Sequence, residues 1–369
     1  MTAEWLITSN KLKFNYKGMK KIFIGIDVSK KTLDASVIIP SQSDDQPVIK
    51  AYGKFENRRG GFRKMIAMVR KEAKGIDLSE WLFCCETTGA YDAQLCDYMA
   101  EKNIDIWREH ASRIAKTRPD HGKDDRKDSQ LIAEYAWRNR DKAHAYVPAC
   151  SSIKDLRQLF LFRRQLVEMR KQLMTRVSEL KELFESNKTL SYIFRDSQKQ
   201  IDKLSASIRD CENHMRELIA NDAALSKNFN HVMSITGVGL VSAVAMLIYT
   251  GNFDVIDSYK SFACYCGIVP FYEDSGTSVH KREYIGHKSN KMVRVYLIQA
   301  AQSAARFNPD MVKYKERMST MGKAYGVIVN NIANKLLRIA YSLVEHDCDF
   351  EANHEFLRAE RMSETTKSA

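Results

Sequence analysis

Leu159, Leu166, Leu173 and Leu180 stand seven residues apart, a repeat that only a long helix places along one side of the backbone. Phe162, Met169 and Leu183 occupy the positions three later, with Arg176 the exception, so the spacing predicts an a/d heptad helix. After a polar break at 185–200 the pattern resumes in Ile201, Leu204, Ile208, Cys211, Met215 and Leu218. Two such segments predict either an antiparallel hairpin that satisfies itself or an oligomerising coiled coil, over 150–225. A helical block of that length splits the 369 residues into parts that must build their cores on either side of it.

Ahead of the block the hydrophobic period is different. "KIFIGIDVSKKTLDASVIIP" at 21–40 holds two strand-like runs around the turn "SKKT", and "PVIKAYGKFEN" at 47–57 is a third. Phe62, Ile66 and Val69 then follow at helical spacing. "WLFCCETT" is the apolar run of a strand buried on both faces. A helix at 90–100, a strand in "IDIWREH" and a helix from Arg126 complete the order. This order predicts a mixed α/β domain over 21–145, with an antiparallel meander at one edge of its sheet. Beyond the block, 230–345 runs from "ITGVGLVSAVAMLI" to "VIVNNIANKLLRIAYSLVEH" and reads as a mainly α-helical domain. Residues 1–20 and 358–369 are expected to be flexible.

Lys and Arg exceed Asp and Glu by 58 to 46, a net charge of +12, which favours a polyanionic partner and above all nucleic acid. No run of about 18 apolar residues offers a membrane span, and the first residues lack the pattern of a signal peptide. A cytoplasmic protein is expected. The eight cysteines form no C-x-x-C pair and several lie in apolar runs, which predicts buried thiols in a reducing compartment.

Within this basic chain, four acids stand out. Asp27 ends the first apolar strand and Glu86 ends "WLFCCE". Asp125 and Asp128, in "GKDDRKDSQLIAEYA", lie three apart on one face of a helix start. Strand ends and helix starts converge in an α/β sheet, and carboxylates so gathered repel one another unless cations neutralise them. Mg²⁺ suits such an all-oxygen site, and two ions would flank a phosphodiester under cleavage. Each acid also has an ordinary reading: Asp27 as a turn residue, Asp125 and Asp128 as first-turn acids, Asp124 as an N-cap. Lys123, Arg126 and Lys127 read as contacts to a nucleic-acid backbone.

A second group lies near the other end. Gly237 and Gly239 in "TGVG" permit a tight turn whose amides hold a phosphate, or simply join two helices. Ser275 precedes a glycine and is followed by Lys281, Arg282, Lys288, Lys291 and Arg294, a phosphate-binding composition. Ser-Gly is a common loop dipeptide, but a serine among such cations is also placed to attack phosphorus.

"FIGIDVSKKTLDASV", "ETTGAYD" and "DRKDSQLIAEYA" resemble the RuvC-like DEDD domain of the insertion-sequence one-ten family of transposases, relatives of the Piv DNA invertase. "CGIVPFYEDSG" followed by "HKSNKMVRVYLIQAA" is similar to the C-terminal transposase domain of that family, with Ser289 where a glycine is usual. The resemblance implies an RNase H-like fold with Asp27, Glu86, Asp125 and Asp128 as Mg²⁺ ligands. It implies Ser275 as the nucleophile of a covalent phosphoserine link to DNA. It further implies donor and target DNA, a structured non-coding bridge RNA, a dimer or tetramer, and action at the nucleoid of a bacterium or archaeon. The alternatives are a RuvC-like nuclease or Holliday junction resolvase that uses water, a site-specific invertase, and a non-catalytic scaffold.

Overall fold

The computed structural model describes residues 20–41, 46–87, 89, 91–117, 124–185, 187–269, 274–275, 279–280 and 289–352. It divides into two compact units, one through Pro148 and the other from Ala149.

The first unit is built on five strands: β1 (Ile22–Val28), β2 (Thr32–Pro40), β3 (Pro47–Glu56), β4 (Trp81–Glu86) and β5 (Ile106–Glu109). Their order in the sheet is β3-β2-β1-β4-β5. The short turn after β1 makes β2 antiparallel to it, and β3 returns antiparallel to β2. Chain crossovers then make β4 parallel to β1, and β5 parallel to β4. The crossover helices are α1 (Arg59–Glu72) and α2 (Ala93–Glu101), followed after β5 by α3 (Ala111–Ala115) and α4 (Asp125–Arg138).

The period-two alternation of the strands assigns side chains to two layers. Ile22, Ile24, Ile26, Leu33, Phe83 and Cys85 pack with Phe62, Met65 and Val69 of α1 and with Leu95 and Met99 of α2. Phe23, Ile38, Leu82, Cys84 and Trp107 pack on the other face with Ile132, Ala133 and Ala136 of α4. Both faces of β1 and β4 are covered, which is why these strands read as unbroken apolar runs. The expected strand and helix order is therefore found, with the five-residue α3 as an addition.

The second unit begins with α5 (Ser151–Leu183) and α6 (Lys188–Ala220), two helices of 33 residues each. The contacts Arg163–Glu212, Arg170–Ser205 and Lys181–Phe194 pair them antiparallel along their length. Two sequence expectations need correction. The predicted polar break at 185–200 is mostly helix: α6 starts at Lys188, capped by the Asn187 side chain. The second half of the predicted heptad face does not face its partner. Leu166 and Leu180 are buried, but Phe162, Met169 and Leu183 are 51%, 46% and 71% exposed. The inward row beside the leucines contains Arg163 and Arg170, which reach Glu212 at 2.7 Å and Ser205 at 3.3 Å.

The ends of this hairpin enter a core with the remaining helices. These are α7 (Ala223–Ser234), α8 (Leu240–Thr250), α9 (Tyr259–Tyr265), α10 (Lys291–Phe307), α11 (Pro309–Thr320) and α12 (Tyr325–His346). Eight of the eleven residues of α8 are buried; α10 packs against α8, and α12 against α10, in one core that includes Leu297, Ala301, Ile332 and Leu336. Two-residue strands β6 (Asp274–Ser275) and β7 (Val279–His280) pair antiparallel between α9 and α10. Among the described residues no helix is long and apolar enough to cross a membrane. All eight cysteines are free; five are buried, whereas Cys150 and Cys348 are exposed, contrary to the expectation of buried thiols.

Candidate active site

On the face of the sheet covered by α4, the strands turn from apolar to polar toward one end. Phe23 and Gly25 lead to Asp27 on β1; Leu82 and Cys84 lead to Glu86 on β4. Because β4 runs parallel to β1 with Ile26 beside Cys85, Asp27 and Glu86 come to neighbouring strand ends. Asp34 lies directly opposite Asp27 on β2. Gly25 lets the helix in: a Cβ there would stand 2.2 Å from Ala133 N and Ser129 O, so the α4 backbone rests on the β1 backbone. Ser129 is fastened by a fully buried bond of 2.7 Å between its hydroxyl and that of Ser36 on β2. The N-terminus of α4 is thereby set over the polar end of the sheet, bringing Asp125 and Asp128 with it.

The electrostatics report this convergence. Asp27 is pushed up from 3.8 to about 6, first by burial and then by the negative charges of Asp128, Glu86, Asp125 and Asp34. Every expected acid is thus near enough to raise the proton affinity of Asp27. The donor set is all carboxylate oxygen, which fits a hard divalent cation and not a soft one. Asp124 has a different task, its side chain accepting from Arg126 N at 3.3 Å as the N-cap of α4.

Three participants escaped the sequence reading. Asp34 is 3% exposed, accepts a 2.5 Å hydrogen bond from the Tyr52 hydroxyl, and pairs with Lys54 Nζ at 3.3 Å. Lys54 also reaches Asp125 Oδ2 at 3.3 Å, and its bonds to Asp125 and Asp34 raise its proton affinity. The Arg126 guanidinium lies 5.1 Å from the centre of the Tyr52 ring. A charged residue inside "TLDASVII" and a glycine inside "FIGID" were the available signals. Glu109, level with Glu86 on β5, is otherwise engaged, accepting from Arg113, Tyr135 and the His110 amide.

A second cluster lies on the opposite face of the sheet. Cys85, Asp92 and Cys96 bring ligand atoms within 4.8 Å of one another. Asp92 is held there by the Arg108 guanidinium, and Cys85 is fully buried, its proton retained by the contact with Cys96 and by burial. A guanidinium paired with the carboxylate and a protonated thiol describe a closed ion pair beside a core contact.

In the second unit, Ser275 is on β6 opposite Val279 of β7. Gly237 adopts φ +105° between α7 and α8, and a Cβ there would meet the Ala304 backbone of α10 at 2.5 Å, so packing alone requires glycine. Gly239 is the N-cap of α8 and faces open space. Lys291 is exposed at the start of α10, whereas the Arg294 guanidinium donates to Gly267 O at 2.9 Å and toward Asn330 at 3.5 Å. Arg126 and Lys127 are exposed on α4. Lys123, Lys281, Arg282 and Lys288 lie outside the described residues.

Two family models match the chain. One, described as a transposase of the DEDD, IS110 type, matches residues 24–184, and the other, Transposase IS116/IS110/IS902 family, matches residues 230–316. The pilin gene-inverting proteins of Moraxella lacunata and Moraxella bovis are each 26% identical to it over 345 residues, 90% of this chain and 98% of theirs. An uncharacterized 43.6 kDa protein of insertion element IS110 from Streptomyces coelicolor is 22% identical over 119 residues, covering 32% of this chain and 29% of its own. Among solved structures, Thermus thermophilus RuvC matches with a TM-score of 0.25 and 10% identity, and its complex with a Holliday junction substrate with 0.26 and 8%. Each covers 34% of this chain and 99% of the RuvC chain.

Proposed function

Since this chain belongs to the IS110 family of transposases, a family of DNA recombination, we propose that it cleaves and rejoins DNA strands with Asp27, Glu86, Asp125 and Asp128 as the ligands of Mg²⁺ and Ser275 as the nucleophile. The observation that carries this reading is the convergence of the four acids, Asp27 and Glu86 at neighbouring strand ends with the start of α4 seated over them, where burial and then the charges of Asp128, Glu86 and Asp125 raise the proton affinity of Asp27. The sheet order β3-β2-β1-β4-β5, antiparallel and then parallel, supports an RNase H-like unit.

When bound, a pair of divalent cations would neutralise the carboxylates and stabilise the charge that builds on the phosphate oxygens. The chain supplies the rest. Gly25 and the Ser36–Ser129 bond hold α4 on the sheet so that its acids meet those of the strands. The Ser275 oxygen attacks phosphorus, one P–O bond of the DNA breaks, and the departing hydroxyl takes a proton. A phosphoserine link results that conserves the bond energy for rejoining. The reaction requires the acids and Ser275 to meet at one phosphate, within a chain or between protomers of a dimer or tetramer. The +12 charge supports a polyanionic assembly of donor DNA, target DNA and a structured bridge RNA, with Arg126, Lys127, Gly239 and Lys291, together with Lys123, Lys281, Arg282 and Lys288, at backbone phosphates. The setting is the bacterial or archaeal cytoplasm, at the nucleoid.

The test is trapping. Protein, Mg²⁺, the element's RNA and cognate DNA should give a denaturant-resistant protein–DNA adduct. Ser275→Ala should abolish it, and Asp128→Asn should reduce it roughly 100-fold or more. Cleavage that persists undiminished in Ser275→Ala would favour a water-using resolvase. The near full-length match to pilin gene-inverting proteins supports a second reading with the same chemistry, site-specific inversion. A substrate carrying two inverted sites on one molecule separates the two.

A further inference from the structure

Lys54 occupies an unusual place for an exposed lysine. It sits on β3, the edge strand, where no further strand lies alongside among the described residues. Its ammonium is 3.3 Å from two carboxylates of opposite character. The Asp34 side chain is 4% exposed, fixed in the sheet and bonded to the Tyr52 hydroxyl, whereas the Asp125 side chain is 64% exposed at the free end of α4. A buried carboxylate opposite Asp27 is costly without a cation, so Asp34 and Lys54 form a lasting pair. The Lys54–Asp125 contact is exposed and exchangeable. An ammonium has three donors, and Asp34 and Asp125 take two of them.

We propose that Lys54 is a backbone-phosphate contact of the N-terminal site, anchored by Asp34 as a positioning residue, and that it exchanges Asp125 for a phosphate oxygen when DNA enters. This rests on the reading of Asp125 as a cation ligand: a divalent ion on that carboxylate repels the ammonium, and Asp34 keeps it beside the site. Tyr52 and Arg126, stacked next to Lys54, extend the same ledge along the edge strand. The competing explanation is that Lys54 only offsets surplus acid.

The test uses the full chain with Lys54→Met, Lys54→Arg and Asp34→Asn. Equilibrium binding of a labelled mixed-sequence duplex is measured in Ca²⁺ across a salt series, with calorimetric Mn²⁺ titration in the absence of DNA and a thermal melt of each variant. Lys54→Met should weaken duplex binding about 3- to 10-fold and lower the slope of log K against log salt by about one, and Lys54→Arg should restore both. Asp34→Asn should weaken duplex binding too, although it removes a negative charge and on charge alone would strengthen it. An unchanged slope and affinity in Lys54→Met overturns the phosphate contact. Tighter duplex binding by Asp34→Asn overturns the anchoring role. Should Asp34→Asn fail to fold, the two Lys54 variants decide. The Mn²⁺ titration, run also on Asp27→Asn, separates this from the parent reading: Mn²⁺ binding that is the same in Asp27→Asn as in the wild type defeats the metal site, while the salt slope still reports on Lys54.

Discussion

Asp27 and Asp34 face each other across the antiparallel β1–β2 ladder, a like-charge pair at the position where a sheet least tolerates one. Two different solutions are applied to the two residues. Asp34 is fully engaged by Tyr52 and Lys54. Asp27 is left among other acids and holds its proton up to about 6. A fold that needed only stability would pair both.

The first prediction follows from the sign of that shift. A carboxyl raised in the folded state favours folding while it is protonated, and this contribution is lost as pH rises from about 3.8 to about 6. In chelator, thermal melts should therefore show stability falling across that window. Asp27→Asn should flatten the fall and raise Tm at pH 7.5. Calorimetric Mn²⁺ titrations should show affinity rising with pH through about 6, as the proton on Asp27 ceases to compete.

Gly25→Ala tests the seat of α4. Its methyl would lie 2.2 Å from the Ser129 carbonyl, so helix and sheet must separate. The expected cost is about 1–3 kcal/mol in urea unfolding, with loss of the Tm gain expected of the wild type in divalent cations. Ser129→Ala, which removes the hydroxyl's bonds to Ser36 and to the Arg126 carbonyl, should cost about 1–3 kcal/mol.

Glu86→Gln and Asp128→Asn each remove a negative charge that raises the proton affinity of Asp27, so the fall of metal-free stability with pH should move to lower pH in both. Both should abolish the cation-induced Tm gain. Destabilisation of the metal-free protein by either would mean that these acids serve the fold.

The hairpin offers a prediction about packing. Leu166→Ala removes a side chain that is 7% exposed and should cost about 2–4 kcal/mol. Phe162→Ala removes one that is 51% exposed and should change monomer stability by less than about 0.5 kcal/mol. Denaturant melts of the two variants at low protein concentration decide the facing of α5.

The heptad reading went astray here for a definable reason. Beside the leucine row of α5, the positions three later are apolar except for Arg176, and those four later hold Arg163, Arg170 and Val177. Hydrophobicity selects the first row, but the structure turns the second inward to half-buried positions, because Arg163 and Arg170 lay their stems along the hairpin and bond Glu212 and Ser205. Those partners lie on the other helix, where a local period cannot see them. The start of α6 escaped for a similar reason, since its first turns carry many polar residues and are paired with α5.

The α/β order was legible because buried strands and crossover helices have distinct periods. Asp27, Glu86, Asp125 and Asp128 were legible as acids at element ends. Asp34 and Lys54 were not, because their membership depends on which residues the β1–β2 and β2–β3 registers set side by side.

The contact of Gly25 with α4 has one more consequence. Where the sheet and the helix meet backbone to backbone, their spacing is set by main-chain atoms and owes little to the size of nearby side chains. The acids therefore inherit their separation from main-chain atoms, which side-chain exchanges away from position 25 do not alter. Exchanges among isoleucine, valine and phenylalanine in the layer beneath α1 and α2 should leave the spacing of the four acids unchanged, so long as position 25 stays without a side chain.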